Sequence, residues 1–230
     1  IRDFTKIQSY QAFISEINQE AQRAGAPLNK LLEEDANPAA IIEAATSFKQ
    51  KVAQIIVRVK NYATRQNKEQ SLKNLEEAKN KLEEIIDKQS YQAFISEINQ
   101  ELERAGAPLN SLLEEEADPA AIIEAATSLK QKAEETIVRV KNYATKQNKE
   151  QSLKSLEETK NKLEEIIDKQ SYNTFISEIN QEAQSERAPL NKLLEEDANP
   201  AAIIEAATSF KQKVAQIIVR VKNRSEERRV

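Results

Sequence analysis

Residues 37–62 read NPAAIIEAATSFKQKVAQIIVRVKNY. Asn37 is a favoured helix N-cap, and Pro38 at the first helical position gives up an N–H that would have no partner there anyway. From that start Ile41, Ala45, Phe48, Val52, Ile55, Val59 and Tyr62 recur at alternating steps of four and three, which predicts a helix with a heptad seam. Ile42 and Ile56 widen the stripe beyond a two-stranded seam, so the helix is expected to touch more than one neighbour. Lys49, Gln50, Lys51, Gln54 and Arg58 fall on the other face, expected to be wet.

The helix is expected to end between residues 61 and 66, because Asn67-Lys68-Glu69-Gln70 has the pattern of a capping box. The next helix presents Leu72, Leu75, Leu82 and Ile86, then changes phase at Lys88-Gln89-Ser90 and continues as Tyr91, Phe94, Ile98, Leu102 and Ala105. Nothing at the phase change forbids helix. The spacing predicts one helix of about 38 residues, roughly 57 Å long, whose halves serve successive bundles. Pro27, Pro108 and Pro189 are expected to stop the helices, followed by a short helix or connector. Gly25 and Gly106 align with Arg187, so that position does not need a glycine-only conformation.

These elements recur. Gln8-Ser9-Tyr10 returns as Gln89-Ser90-Tyr91 and Gln170-Ser171-Tyr172, and residues 8–88 differ from 89–169 at 13 of 81 positions. Residues 26–61 match 188–223 without a change. The reading is an all-α protein, an elongated tandem array of coiled-coil-like three-helix modules joined by long shared helices: residues 1–88, 89–169 and a truncated third at 170–230 with a C-terminal tail. Spectrin-type arrays share helices between repeats in this way, although their repeats are longer and carry a tryptophan that this chain lacks. In the second repeat Phe48, Val52 and Ile55 become Leu129, Ala133 and Thr136, so its core is expected to be thinner.

Among 230 residues, 31% are charged and 5% aromatic, with two Gly and six Pro, the profile of long helices. A net charge of −4 with interspersed signs offers no basic stripe, so no nucleic-acid partner is expected. No apolar run approaches the roughly 20 residues that cross a bilayer, and the chain is expected to be soluble. Cys, His, Trp and Met are absent, which removes disulfides, thiolate nucleophiles and the commonest general base and transition-metal ligand. A chain without Met that begins at Ile1 is read as a processed or excised piece, any anchor lying outside it.

No phosphate loop, nucleophile elbow, EF-hand or metal-spaced ligand set occurs. The expectation is no enzyme, no catalytic or metal residues and no cofactor. Carboxylates at Glu33-Glu34-Asp35 and Glu83-Glu84-Asp87 lie beside lysines and read as a solvated face. Two sets remain as candidate partner-binding residues. Tyr10, Tyr91 and Tyr172, each with Phe three residues on, read as packing at module boundaries or as a repeated recognition patch. Leu31, Leu112 and Leu193 read as bundle-end caps or as part of a projecting connector.

Near-identical helical cassettes, abundant Ile, Lys, Asn, Gln and Glu, and absent Cys and Trp together resemble the repeat regions of bacterial cell-surface proteins from AT-rich genomes. Within that group the chain looks most like the variable adherence-associated antigens of mycoplasmas, surface lipoproteins built from exchangeable coiled-coil cassettes. The resemblance implies adhesion to a host-cell surface protein or glycan, an extracellular location, a role in virulence, and membrane attachment through a lipidated Cys outside this chain. Two alternatives stand beside it: a mechanical spacer with no ligand of its own, and a small-ligand or immunoglobulin-binding three-helix module. Residues 224–230 depart from the repeat, with Arg224 where Tyr62 and Tyr143 predict a tyrosine.

Overall fold

The computed structural model describes residues 2–62, 64, 67–196 and 198–227. They form six α-helices and no strand: α1 (Arg2–Glu33), α2 (Pro38–Asn61), α3 (Glu69–Glu114), α4 (Pro119–Asn142), α5 (Glu150–Glu195) and α6 (Pro200–Glu227). The part of the expected turn at residues 63, 65 and 66, the acidic Asp197, Ile1 and the last three residues of the tail lie outside the described set.

The starts of α2, α4 and α6 form as their sequences dictate. Asn37 Oδ1 accepts from the Ala39 amide at 2.9 Å, Asn199 Oδ1 from Ala201 at 3.0 Å, and Asp118 Oδ1 from Ala120 at 3.4 Å. Each bond satisfies an amide that the helix itself leaves free. The carboxylate therefore serves in place of the amide side chain, as the Asn-to-Asp exchange predicts.

The prolines do not stop the helices. Pro27, Pro108 and Pro189 lie inside α1, α3 and α5, which run on for another six residues in each case. All three are exposed, while the adjoining Leu28 and Leu109 are buried. The carbonyl that each proline deprives of a donor lies one turn back near the same wet face, where water can serve it. Burial of the leucine then holds the helix across the break. Termination comes later, at Asp35 and Glu116, whose φ values of 51° and 49° are left-handed. The amides of Ala36, Ala117 and Ala198 donate to the carbonyls of Leu31, Leu112 and Leu193 at 3.0–3.1 Å, the six-to-one bond of a Schellman ending. Leu31 and Ala36 also pack together against the core, the apolar contact that accompanies that ending.

Along α2, Ile41, Ala45, Val52, Ile55, Ile56 and Val59 are buried, so the seam and its widening at Ile56 are both real. Leu28 of α1, Ile41, Ala45, Val52 and Ile56 of α2 and Leu82 of α3 form one cluster, flanked by Leu72, Leu75 and Ile86. A second cluster joins Ile17 to Ile55 and Val59. Beyond the phase change α3 changes company: Ile98, with Phe94 and Leu102 beside it, packs with Ile137 and Val140 of α4 and Leu156 of α5. One continuous helix thus contributes its two faces to two cores.

The chain divides into two compact units, Ile1–Ala105 with Lys132–Glu158, and Gly106–Gln131 with Thr159–Val230. The first holds the clusters just described. In the second, Leu109, Ile122, Ala126, Leu129, Leu163, Ile179 and Ile217 are buried. The division cuts through α3, α4 and α5 and follows contacts instead of the 81-residue period.

The second core is thinner where expected, with Ala133 and Thr136 fully buried in place of Val52 and Ile55. The Thr136 hydroxyl donates to the Lys132 carbonyl at 2.7 Å, so its burial strands no donor. Part of the lost volume returns from α3. Ala21, packed beside Ile55 and Val59, is replaced by Leu102, which packs against Ile98, Ile137 and Val140.

Two devices close the connectors. Asn67 and Asn148 accept from the amides of Glu69 and Glu150, both at 2.8 Å, whereas Gln70 donates forward to Asn74 and so does not complete a capping box. Lys68 reaches back to the carbonyls of Lys60 and Tyr62, and Lys149 to those of Lys141 and Tyr143, placing a cation on the free carbonyls that end α2 and α4. The second connector has an additional anchor: Asp87 Oδ2 accepts from Thr145 Oγ1 at 2.9 Å, the Lys146 amide at 3.0 Å and Gln147 Nε2 at 3.2 Å. Burial pushes the Asp87 carboxyl up, but these three donors outweigh it and hold the pKa below the usual carboxylate value.

Two predictions follow from this packing. A methyl at Gly25 would come within 2.9 Å of the Phe48 ring, whereas at Gly106 it would meet Leu129 at an ordinary 3.4 Å. Gly106→Ala is expected to raise stability in urea unfolding by up to about 1 kcal/mol through helix propensity; Gly25→Ala should gain less or lose, because Phe48 must turn. Asp87→Ala should speed exchange of the Lys146 amide by roughly tenfold, the worth of a charge-assisted hydrogen bond. Because folding lowers the Asp87 pKa, its contribution is present above the unfolded carboxylate value and fades as pH falls through the depressed one. Amide exchange of residues 144–149, corrected for intrinsic rate and followed from pH 6 to pH 3, checks both the anchor and its loss.

Candidate functional site

Lys49, Lys51 and Arg58 repeat across the chain; Arg58 is exposed and Lys49 and Lys51 half-exposed, as the wet-face reading expects, and each also pairs with a carboxylate of a neighbouring helix. Arg58 bridges to Glu16 and Glu20 of α1, Lys51 to Glu20 at 2.6 Å and Lys49 to Glu83 of α3 at 3.1 Å. The pattern recurs as Arg139–Glu101, Lys132–Glu101 and Lys130–Glu164 at 2.7, 3.2 and 2.9 Å. In the third repeat Arg220 pairs with Glu182 at 2.6 Å, while Lys213 turns to Glu186. Side-chain hydrogen bonds from these cations, foremost Lys51 for Glu20 and Arg139 for Glu101, lower the carboxylate pKa values. Such half-exposed pairs contribute little energy individually.

The acidic clusters separate in the same way. Glu33 and Asp35 are exposed, as expected of a solvated face. Glu83 and Asp87 are instead half-buried and engaged with Lys49 and with the second connector. Among the described residues no group of acidic side chains is arranged to hold a metal ion.

The tyrosine sites lie where α1 and α3 meet the ends of α2 and α4. Tyr10 and Tyr91 are buried; Tyr172 is half-buried. Phe13 stacks on Tyr62 with ring centroids 4.1 Å apart, and Phe94 on Tyr143 at the same distance. Arg139 lies 5.8 Å over the Phe94 ring. The Tyr91 hydroxyl meets Ser152 Oγ at 3.1 Å, whereas the buried Tyr10 hydroxyl has no hydrogen-bond partner among the described residues. Leu31, Leu112 and Leu193 are half-buried at the Schellman endings, and their neighbours Leu32, Leu113 and Leu194 are the exposed members of each pair.

Beside each buried tyrosine runs a groove. The first, of about 490 Å³, is lined by Tyr10, Gln11, Ile14, Ser15, Asn18, Gln19, Gln22 and Ser71. The second, of about 470 Å³, is lined by Tyr91, Gln92, Ile95, Ser96, Asn99, Gln100, Glu103 and Ser152. Every lining residue of one maps onto the other at a step of 81, and only Gln22 to Glu103 changes type. The walls come from one face of α1 or α3, at steps of three and four, closed by the start of α3 at Ser71 or of α5 at Ser152. Carboxamides and hydroxyls that can both donate and accept surround an isoleucine, a surface suited to uncharged polar groups such as peptide backbone or sugar hydroxyls. The first groove is lined by no charged side chain, and Glu103 is the one carboxylate lining the second.

The groove was not among the sequence-derived candidates beyond its tyrosines. Its signal was present in the repeated Tyr-Gln-x-x-Ile-Ser-x-x-Asn-Gln spacing, which the apolar periodicity obscures because the polar members lie between seam positions.

No helix among the described residues is long and apolar enough to cross a membrane. No family model, no curated protein and no solved structure matches this chain.

Proposed function

We propose that this chain is a modular bacterial surface adhesin that carries the same shallow groove on successive repeats and binds a host-cell protein or glycan through several weak contacts. The observation that carries the reading is the one-to-one recurrence of the eight groove residues at Tyr10–Ser71 and Tyr91–Ser152. Linked copies of a weak site gain effective concentration, so avidity substitutes for a deep pocket. Extended tandem three-helix modules, with α3 and α5 each shared between neighbours, would supply the reach. The proposed location is the outer cell surface, with attachment through a segment outside these residues.

The spacer alternative keeps the helices and removes the ligand. Gln11→Ala with Asn18→Ala, and Gln92→Ala with Asn99→Ala, separate the two readings, since these side chains face the grooves and leave the apolar clusters untouched. Binding of the chain to epithelial-cell layers and to a glycan array is the measurement. Each pair should weaken binding several-fold, and the two pairs together should weaken it by at least the combined factor as avidity is lost. Unchanged binding with all four substitutions would favour the spacer.

A further inference from the structure

Between α1 and α2 of the first repeat lies a cavity of about 400 Å³ that shares no residue with the grooves. Arg23 and Pro27 of α1 line it from one side, and Ser47, Phe48, Gln50 and Gln54 of α2 from the other. Gly25 shapes it. A methyl there would stand 2.9 Å from Phe48 Cε1, so the glycine lets the half-buried ring lie against α1.

The charges lining the cavity are of one sign. Lys51 is bonded to Glu20 at 2.6 Å, whereas among the described residues no ion pair engages Arg23. No carboxylate is among the described lining residues. A guanidinium presents paired N–H donors that match a carboxylate, and it is more weakly hydrated than an ammonium. The Ser47 hydroxyl and the two carboxamides each donate and accept, as sugar hydroxyls do. The Phe48 ring has a negative face, which attracts the weakly positive C–H groups of a saccharide ring.

The other repeats lack the full set. At the positions of Arg23, Phe48 and Gln54 the second repeat has Arg104, Leu129 and Glu135, which removes the ring and adds a carboxylate that repels an anion. The third has Ser185, Phe210 and Gln216, with Arg187 in place of the glycine that admits the ring.

We propose that this cavity binds a carboxylated sugar, with Arg23 on the carboxylate, Ser47, Gln50 and Gln54 on the hydroxyls and Phe48 against the C–H face. The site is separate from the grooves and stands or falls independently of adhesion.

Sodium glucuronate titrated into the isotope-labelled full chain and followed by NMR is the experiment, with glucose, acetate and N-acetylglycine as controls. Glucuronate should bind with a dissociation constant on the order of millimolar. It should shift the Arg23 Nε–H resonance and the amides of residues 47–54, and bind more tightly than every control. Arg23→Ser and Gln54→Glu install residues that the third and second repeats already carry at these places, so both are compatible with the helices. Arg23→Ser should weaken glucuronate binding roughly tenfold, the worth of a lost charge-assisted hydrogen bond. Gln54→Glu should weaken it several-fold through repulsion. Binding indifferent to either substitution, acetate or N-acetylglycine bound as tightly as glucuronate, shifts confined to residues 209–216, or no saturable shift at all would overturn the proposal.

Discussion

The apolar stripe on the Pro-capped helix is too wide to be buried by one neighbour. Ile41, Ala45 and Val52 meet Leu28 of α1 on one side and Leu82 of α3 on the other, while Ile55 and Val59 meet Ile17. That requirement explains why α3 and α5 are 46 residues long and why their apolar pattern changes phase midway. A helix that finishes one core and begins the next needs two stripes at different angles. The ion pairs Arg58–Glu20, Arg139–Glu101 and Arg220–Glu182, all 38 residues apart, recur in the same register in the three repeats.

Much of this was legible in the sequence. The N-caps at Asn37, Asp118 and Asn199, the seam from Ile41 to Val59 and the continuity of α3 through Gln89-Ser90 follow from local chemistry and periodicity, which a single strand of text carries well. The prolines misled because a proline's effect depends on which face it occupies, a tertiary fact. Pro108 on the wet face of α3 is tolerated while Leu109 beside it is buried. The true endings at Asp35 and Glu116 use a left-handed acidic residue instead of glycine, and nothing in a Glu-Glu-Asp run marks which residue turns. The glycines have another purpose at the first repeat, where Gly25 leaves room for Phe48.

The candidate site was legible only in its tyrosines. Tyr10 and Tyr91 are packed inward, and their phenylalanine neighbours stack on Tyr62 and Tyr143. What these aromatic junctions leave beside them is the amide-lined groove, whose residues are individually unremarkable surface types. Only the coincidence of the same eight positions in two places identifies it. The charged positions Lys49, Lys51 and Arg58 keep the wet face that periodicity assigns them and pair there with carboxylates of neighbouring helices, partners that periodicity alone does not name.

Identical sequence in unequal surroundings offers a direct test of the central claim that a third helix completes each core. Residues 26–61 and 188–223 have the same intrinsic exchange rates and yield proteolytic fragments of the same mass. Hydrogen-exchange mass spectrometry on fragments common to both stretches should therefore show two mass envelopes, a slow one from α2 beneath α3 and a fast one from α6. A single envelope at all times, with α2 and α6 equally protected, would contradict the account.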